Sequence, residues 1–143
     1  MKFLNEQGQE ITLKRAENLP GFLVTVPEQI VIDSPVNNPF FKGINVLQLP
    51  KKLKGFRDNP DLKMLLSPNK IKTNIFLKSN LNSEIVIFEP DSTLVNDKKL
   101  YVENRIFGNN QEIVPLFLNL GLKNVKLNAG TKIGTIYVIA VEN

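Results

Sequence analysis

The stretch Val125-Lys126-Leu127-Asn128-Ala129-Gly130-Thr131-Lys132-Ile133-Gly134-Thr135-Ile136-Tyr137-Val138-Ile139-Ala140 decides the fold. Val125 and Leu127 alternate with Asn124 and Lys126, the period of two that marks a strand with one buried face. Further on, Ile133, Thr135, Tyr137 and Ile139 fall on one side of an extended chain and Gly134, Ile136, Val138 and Ala140 on the other. Apolar side chains on both sides predict a strand in the middle of its sheet. Between the two runs, Asn128-Ala129-Gly130-Thr131 reads as a tight turn, with Gly130 supplying a positive φ. Glu112–Val141 as a whole is therefore expected to be a hairpin-like β core. Gly130-Thr131-Lys132 ends like a phosphate-binding loop, but the residue order is wrong and no helical pattern follows. Gly130 and Gly134 thus read as turn and packing positions, and the stretch holds no catalytic equipment.

Working outward, the same pattern recurs: short apolar runs divided by Asn, Pro, Gly and Asp. Strands are expected at Ile11–Lys14, Gly21–Val26, Gln29–Asp33, Ile44–Leu47, Ile71–Lys78, Glu84–Phe88, Leu100–Phe107, Ile113–Leu118, Lys123–Leu127 and Lys132–Val141. Turn signals separate them, among them Asn37-Asn38-Pro39, Ser67-Pro68-Asn69 and Gly108-Asn109-Asn110. Pro115 predicts an edge position or a bulge in its run. Helical pattern is confined to one short turn over Asp61–Leu66, and Leu49–Asp61 reads as a long loop. Many strands at this spacing predict an all-β fold, a sandwich or barrel with at most one short helix. At 143 residues the chain is expected to be a single β domain, 1–143.

Composition excludes more than it selects. The chain has no cysteine and no histidine. Disulfides, thiolate zinc sites and cysteine nucleophiles are thereby excluded, as are Ser-His-Asp triads and histidine metal sites. Carboxylates, Lys and Tyr remain for chemistry. No apolar run approaches the ~20 residues of a membrane-spanning helix, and the N-terminus lacks the pattern of a secretory signal. An intracellular location is expected, in a host cytoplasm or a virus-like particle, with no cofactor and no membrane partner.

The candidate sites are few. Asp33-Ser34-Pro35 and Asp91-Ser92-Thr93 approach the aspartic-protease string Asp-Ser/Thr-Gly, but both lack the glycine that lets that loop fold beside paired carboxylates, so both read as turns. Glu89, Asp91 and Asp97 bracket a loop, which reads as a solvated turn in preference to a Mg²⁺ or Ca²⁺ site. Lys42–Lys78 carries nine cations against two carboxylates, a net +7 in a chain whose total is +4. Within it Lys51, Lys52, Lys54 and Arg57 surround Phe56. Such a cluster can hold nucleic acid, the cations on phosphates and the ring on a base. It also fits a solvated loop in a lysine-rich chain. No catalytic and no metal-ligating residue is assigned.

The order of strings from Ile85 to Val141 resembles a known pattern. Val86-Ile87-Phe88-Glu89-Pro90, Ile113-Val114-Pro115-Leu116-Phe117-Leu118-Asn119 and Leu127-Asn128-Ala129-Gly130-Thr131-Lys132-Ile133-Gly134 follow one another as in the post-protease segment of gypsy-type LTR retrotransposon polyproteins. The same strand–turn–strand pattern resembles the core of the trimeric dUTPase fold. The resemblance implies a dUTPase-like or jelly-roll-like sandwich and a homo-oligomer, a trimer if the fold is shared. This chain lacks the family's Gly-Tyr-Asp-Leu strand, its Tyr-Arg-Gly segment and its glycine-rich C-terminal arm. The expectation is therefore a non-enzymatic structural or interaction domain of a retroelement or viral protein, with nucleic-acid contact through the basic stretch. The alternatives are a self-assembling viral or phage structural protein and a divergent dUTPase-like nucleotide-binding enzyme.

Overall fold

The computed structural model describes residues 1–37 and 68–142. Twelve strands are found among them: β1 (Lys2–Leu4), β2 (Glu10–Ile11), β3 (Phe22–Thr25), β4 (Ile30–Ile32), β5 (Asn69–Lys70), β6 (Phe76–Lys78), β7 (Glu84–Pro90), β8 (Leu100–Glu103), β9 (Ile106–Phe107), β10 (Leu116–Asn119), β11 (Val125–Leu127) and β12 (Lys132–Ala140). One short helix, α1 (Ser92–Asn96), is present among the described residues, with a 3-10 turn at Pro35–Asn37. The strands form four small sheets, ordered β2-β1-β6, β5-β10-β8, β11-β4 and β3-β12-β7-β9. The fold is all-β, as the apolar alternation predicts. The strand expected at Ile44–Leu47 and the helical turn expected at Asp61–Leu66 lie outside the described residues.

β12 is central, between β3 and β7, as its two apolar faces require. The expected hairpin does not form. β11 pairs with β4 (Val125 opposite Ile32), whereas β12 pairs with β3 and β7. The turn between them is real, with Thr131 N–H donating to Asn128 O at 3.0 Å and Gly130 at φ +85°. It works as a corner. Gly130 N–H donates to Val26 O, and Val26 N–H donates to Thr131 O. The β3–β4 and β11–β12 connections thus bend together, and each pair of strands passes from one sheet into the next.

A second expected strand, Leu100–Phe107, is broken in the same way. Asn104 takes φ 50°, and the chain leaves β8, paired with β10, to form β9, paired with β7. Asn tolerates the left-handed region better than most side chains, which fits its place at the break. Pro115 is fully buried just before β10 and is not on an edge strand; its carbonyl accepts Ile71 N–H at 3.0 Å.

One core unites the sheets. Val24, Ile32, Leu77, Val86, Phe88, Leu100, Ile113, Phe117, Ile133 and Ile136 are sealed in it. Phe88 of β7 and Phe117 of β10 meet edge-to-face at 6.3 Å, joining two sheets. Burying each such ring contributes roughly 2–3 kcal/mol. Asn119 is the polar exception. Its side chain is buried, donates Nδ2–H to Ile32 O and Lys123 O, and accepts Gly121 N–H on Oδ1. It ties β10 to β4 and shapes the 119–123 turn.

Candidate functional site

Residues 71–73 run beside 113–115 in an extended path, and Asn74, at φ 59°, turns the chain. Ile71 N–H donates to Pro115 O, Ile113 N–H to Ile75 O, and Thr73 Oγ1–H to Ile113 O at 2.6 Å. Ile71 and Thr73 are buried, so by the period of two Lys70 and Lys72 face outward. Facing them across a groove is the corner after β3. Val26, Ile30 and Ile71 line the groove with Pro27, and Glu6, Glu28, Lys70, Lys72 and Asn74 supply its polar side chains. Its volume is about 370 Å³, within the range of small-ligand sites.

The electrostatics centre on one ion pair. Lys72 Nζ lies 3.4 Å from Glu6 Oε1, both side chains well exposed, so the pair itself contributes under about 1 kcal/mol. Close to it in charge is Glu112, which bridges to Phe76 of β6. Glu112 Oε2 is buried without a hydrogen-bond partner. Burial pushes the Glu112 carboxyl above its ordinary range, Lys72 opposes the shift, and Glu6 adds to it. Glu112 does not line the groove but interacts electrostatically with Lys72 and Glu6, which do, and a carboxyl so raised is a candidate proton acceptor.

A second feature is the outer face of the sheet β3-β12-β7-β9. The registers set Ile106 beside Ile87, Ile87 beside Tyr137, Ile139 beside Ile85, and Thr135 between Leu23 and Glu89. Ile106 is 61% exposed and Ile139 41%. Tyr137 bonds to Glu89, and its hydroxyl is held above its ordinary range by burial first and by that carboxylate second.

The residues singled out in the sequence are dispersed. Lys51, Lys52, Lys54, Phe56 and Arg57 lie outside the described residues. Asp33 follows β4, and its neighbour Ser34 is buried, donating Oγ–H to Gly121 O and N–H to the Asn124 side chain. Asp91 precedes α1 and pairs with Lys132 at 3.5 Å. These two Asp-Ser strings serve local structure on separate elements. Glu89 is engaged with Tyr137. Among the described residues no group of three or more carboxylates could hold a metal ion. The described helix is far too short to cross a membrane. The groove was invisible beforehand because its charged members come from three distant segments.

No family model matches the chain, and no curated protein does. Solved structures do. The dUTPase of Streptococcus mutans superposes with a TM-score of 0.65 at 13% identity, over 100% of this chain and 98% of that one. The EIAV dUTPase gives 0.60 at 17% identity, over 97% and 87%. A mutant dUTPase from phage phi11 of S. aureus gives 0.62 at 9% identity, over 93% and 85%. These matches correct the expectation of a non-enzymatic structural domain: the structures that the whole chain resembles are enzymes, so the reading as no enzyme is withdrawn. The departures in sequence remain. The string nearest to Gly-Tyr-Asp-Leu is Gly21-Phe22-Leu23-Val24 at β3, with an apolar Leu23 where that string has Asp. The chain has the dUTPase-like fold.

Proposed function

We propose that the chain is a divergent dUTPase-like enzyme that binds a nucleoside triphosphate and hydrolyses it, acting as a single β domain. The supporting observation is the likeness of fold to the S. mutans dUTPase over the full length of both chains. The groove between residues 70–74 and the β3 corner is the proposed site. Lys70 and Lys72 stand two residues apart on one face of extended chain, and their flexible side chains can converge on one triphosphate. Pro27 and Ile30 offer an apolar wall for a base. Glu112, electrostatically coupled to the groove's Lys72 and Glu6 and with its carboxyl raised by burial, is the group to take a proton from an attacking water. One matched phage enzyme is described with a structural Mg(II) ion. The described carboxylates here form no such cluster, so any divalent ion would arrive on the triphosphate.

The protein is further proposed to work as a homo-oligomer, a trimer by analogy of fold, through the apolar outer face bearing Ile87, Ile106, Tyr137 and Ile139. A viral or phage origin is in keeping with the EIAV and phage matches.

Calorimetry with dUTP and with dUpNHpp, and phosphate-release assays with Mg²⁺, test the enzyme reading. Binding that weakens at least tenfold in Lys70→Ala/Lys72→Ala, and turnover that falls in Glu112→Gln, are expected. No binding at millimolar nucleotide and no turnover above background would overturn it. Light scattering tests assembly, with Ile106→Lys/Ile139→Lys expected to shift the particle toward monomer.

A further inference from the structure

The turn after β10 exposes apolar side chains in an ordered setting. Among the described residues Leu122 is 79% exposed and Leu120 66%, more than the other large apolar side chains. The turn that carries them is held in place. Asn119 accepts Gly121 N–H and donates to Lys123 O, Leu120 N–H donates to Lys99 O at 2.9 Å, and Ser34 Oγ–H donates to Gly121 O at 2.6 Å. Below the turn, Leu100 of β8 pairs with Asn119, so the end of α1 and Lys98-Lys99 lie alongside. Together these segments line a hollow of about 600 Å³. Leu120, Leu122 and Val125 give it apolar lining, and Lys98, Lys99 and Lys123 supply three cations against the single carboxylate of Asp97.

We propose that this hollow is a docking surface for an acidic segment of a partner protein that carries apolar side chains. Leucines held on a fixed turn are preorganised anchors, since little freedom is lost when a partner covers them. The three lysines select a negatively charged occupant and speed its approach. A second copy of this chain, at net charge +4, is a poor match. A bilayer surface is flat, whereas the hollow is concave and admits single side chains. The lining has no aromatic ring on which a nucleic-acid base could stack.

The probe is a labelled twelve-residue peptide of alternating Glu and Leu. It is run beside a Gly-for-Leu peptide, a Lys-for-Glu peptide and vesicles of anionic phosphatidylglycerol. Amide shifts of the whole chain are followed by NMR, and affinity by anisotropy. The expected result is a shift of Lys98, Lys99 and Gly121–Lys123 with the Glu/Leu peptide alone, weakened by salt. A loss of affinity of tenfold or more is expected in Leu122→Ser and in Lys123→Glu. Both residues are exposed, so both variants keep the parent's melting curve. The proposal is overturned if the Gly-for-Leu peptide binds equally, if the shifts fall elsewhere, or if the vesicles and not the peptide move these amides. It is also overturned if Leu122→Ser changes the particle mass in light scattering, which would make a second copy the occupant.

Discussion

Replacing Gly134 by alanine puts the packing of β12 to a direct test. Gly134 lies opposite Pro90 of β7 and Val24 of β3, near the start of the central strand that pairs with both. A Cβ placed there would overlap the carbonyl oxygen of Glu89 and stand 2.6 Å from Cζ and 2.7 Å from Cε2 of Phe88. Carbonyl oxygens of a paired strand cannot rotate away, and the Phe88 ring is fully buried against Phe117. The added methyl group must therefore push β7 from β12 or tilt the central ring. Overpacking of this kind costs up to about 3 kcal/mol, and the backbone clash places Gly134→Ala at that end. With an unfolding entropy near 2.1 cal/mol/K per residue, a chain of 143 residues loses about 10 °C of Tm. Gly130→Ala is the control. Nothing lies within 4 Å of its new Cβ, and the cost there is only that of φ +85°, about 1 kcal/mol or about 3 °C. Gly21→Ala falls between, because its Cβ would meet the movable ends of Thr135 and Tyr137 at 2.6 and 2.8 Å as well as Ile136 O at 2.9 Å. Calorimetric melts of the three variants give the order. A Gly134→Ala protein that melts within about 3 °C of its parent, or above Gly130→Ala, refutes the reasoning.

Asn119→Ala removes a donor from two carbonyls and an acceptor from one amide in a buried site, and a loss of about 3 kcal/mol is expected in urea denaturation. Asn119→Asp turns a carboxylate toward the Ile32 and Lys123 carbonyls, so it should be less stable at pH 7 than at pH 3 relative to the parent. The raised Glu112 carboxyl binds its proton more tightly folded than unfolded. Its contribution is thus fully present below the ordinary carboxylate value of 4.5 and is lost as pH rises through the folded value. Glu112→Gln should therefore gain on the parent between pH 4 and pH 7 in paired melts, and a gap that does not change with pH would count against the burial of Oε2. Tyr137 should ionise at lower pH in Glu89→Gln when followed by ultraviolet absorbance, because the carboxylate's charge is removed and burial alone remains as the main cause of elevation.

The sequence showed element type better than partnership. β12 was legible as central because both of its faces are apolar, a property written in one contiguous run. The break at Asn104 was not, since Leu100–Phe107 keeps an apolar residue at most positions and only the left-handed Asn104, with Arg105 after it, separates β8 from β9. The hairpin reading failed for a related reason. A tight turn with Gly between two apolar strands is the signal of a hairpin, but a corner that hands strands between sheets uses the same residues. What distinguishes them is the pair of hydrogen bonds to Val26, far away in the sequence. β1 was missed as well: three residues, Lys2–Leu4, offer too little alternation to read, although Phe3 is buried and meets the Phe22 ring at 5.1 Å.

The positions on which the family resemblance rested are, in the folded chain, packing positions. Val86 and Phe88 are sealed in the core, Asn119 satisfies three backbone groups between β4 and the 119–123 turn, and Gly134 admits the Glu89 carbonyl and the Phe88 ring where no side chain fits. Such residues must persist for the strands to close, whatever the protein does, so they report fold and carry no information on chemistry. The candidate groove has the opposite character. Glu6 enters beside β1, Lys70 and Lys72 with β5 and the chain before β6, and Glu28 at the corner after β3, while Glu112, ahead of β10, acts on Lys72 and Glu6 from outside the lining. No contiguous string contains the set, and each member is an ordinary exposed charge until β1 pairs with β6 and residues 71–73 lie along 113–115. A site assembled in this way can be rebuilt by single substitutions at its rim while the core stays fixed. A dUTPase-like fold kept over 93–100% of the chain at 8–17% identity, with Leu23 in the strand nearest to Gly-Tyr-Asp-Leu, is what such rebuilding would leave.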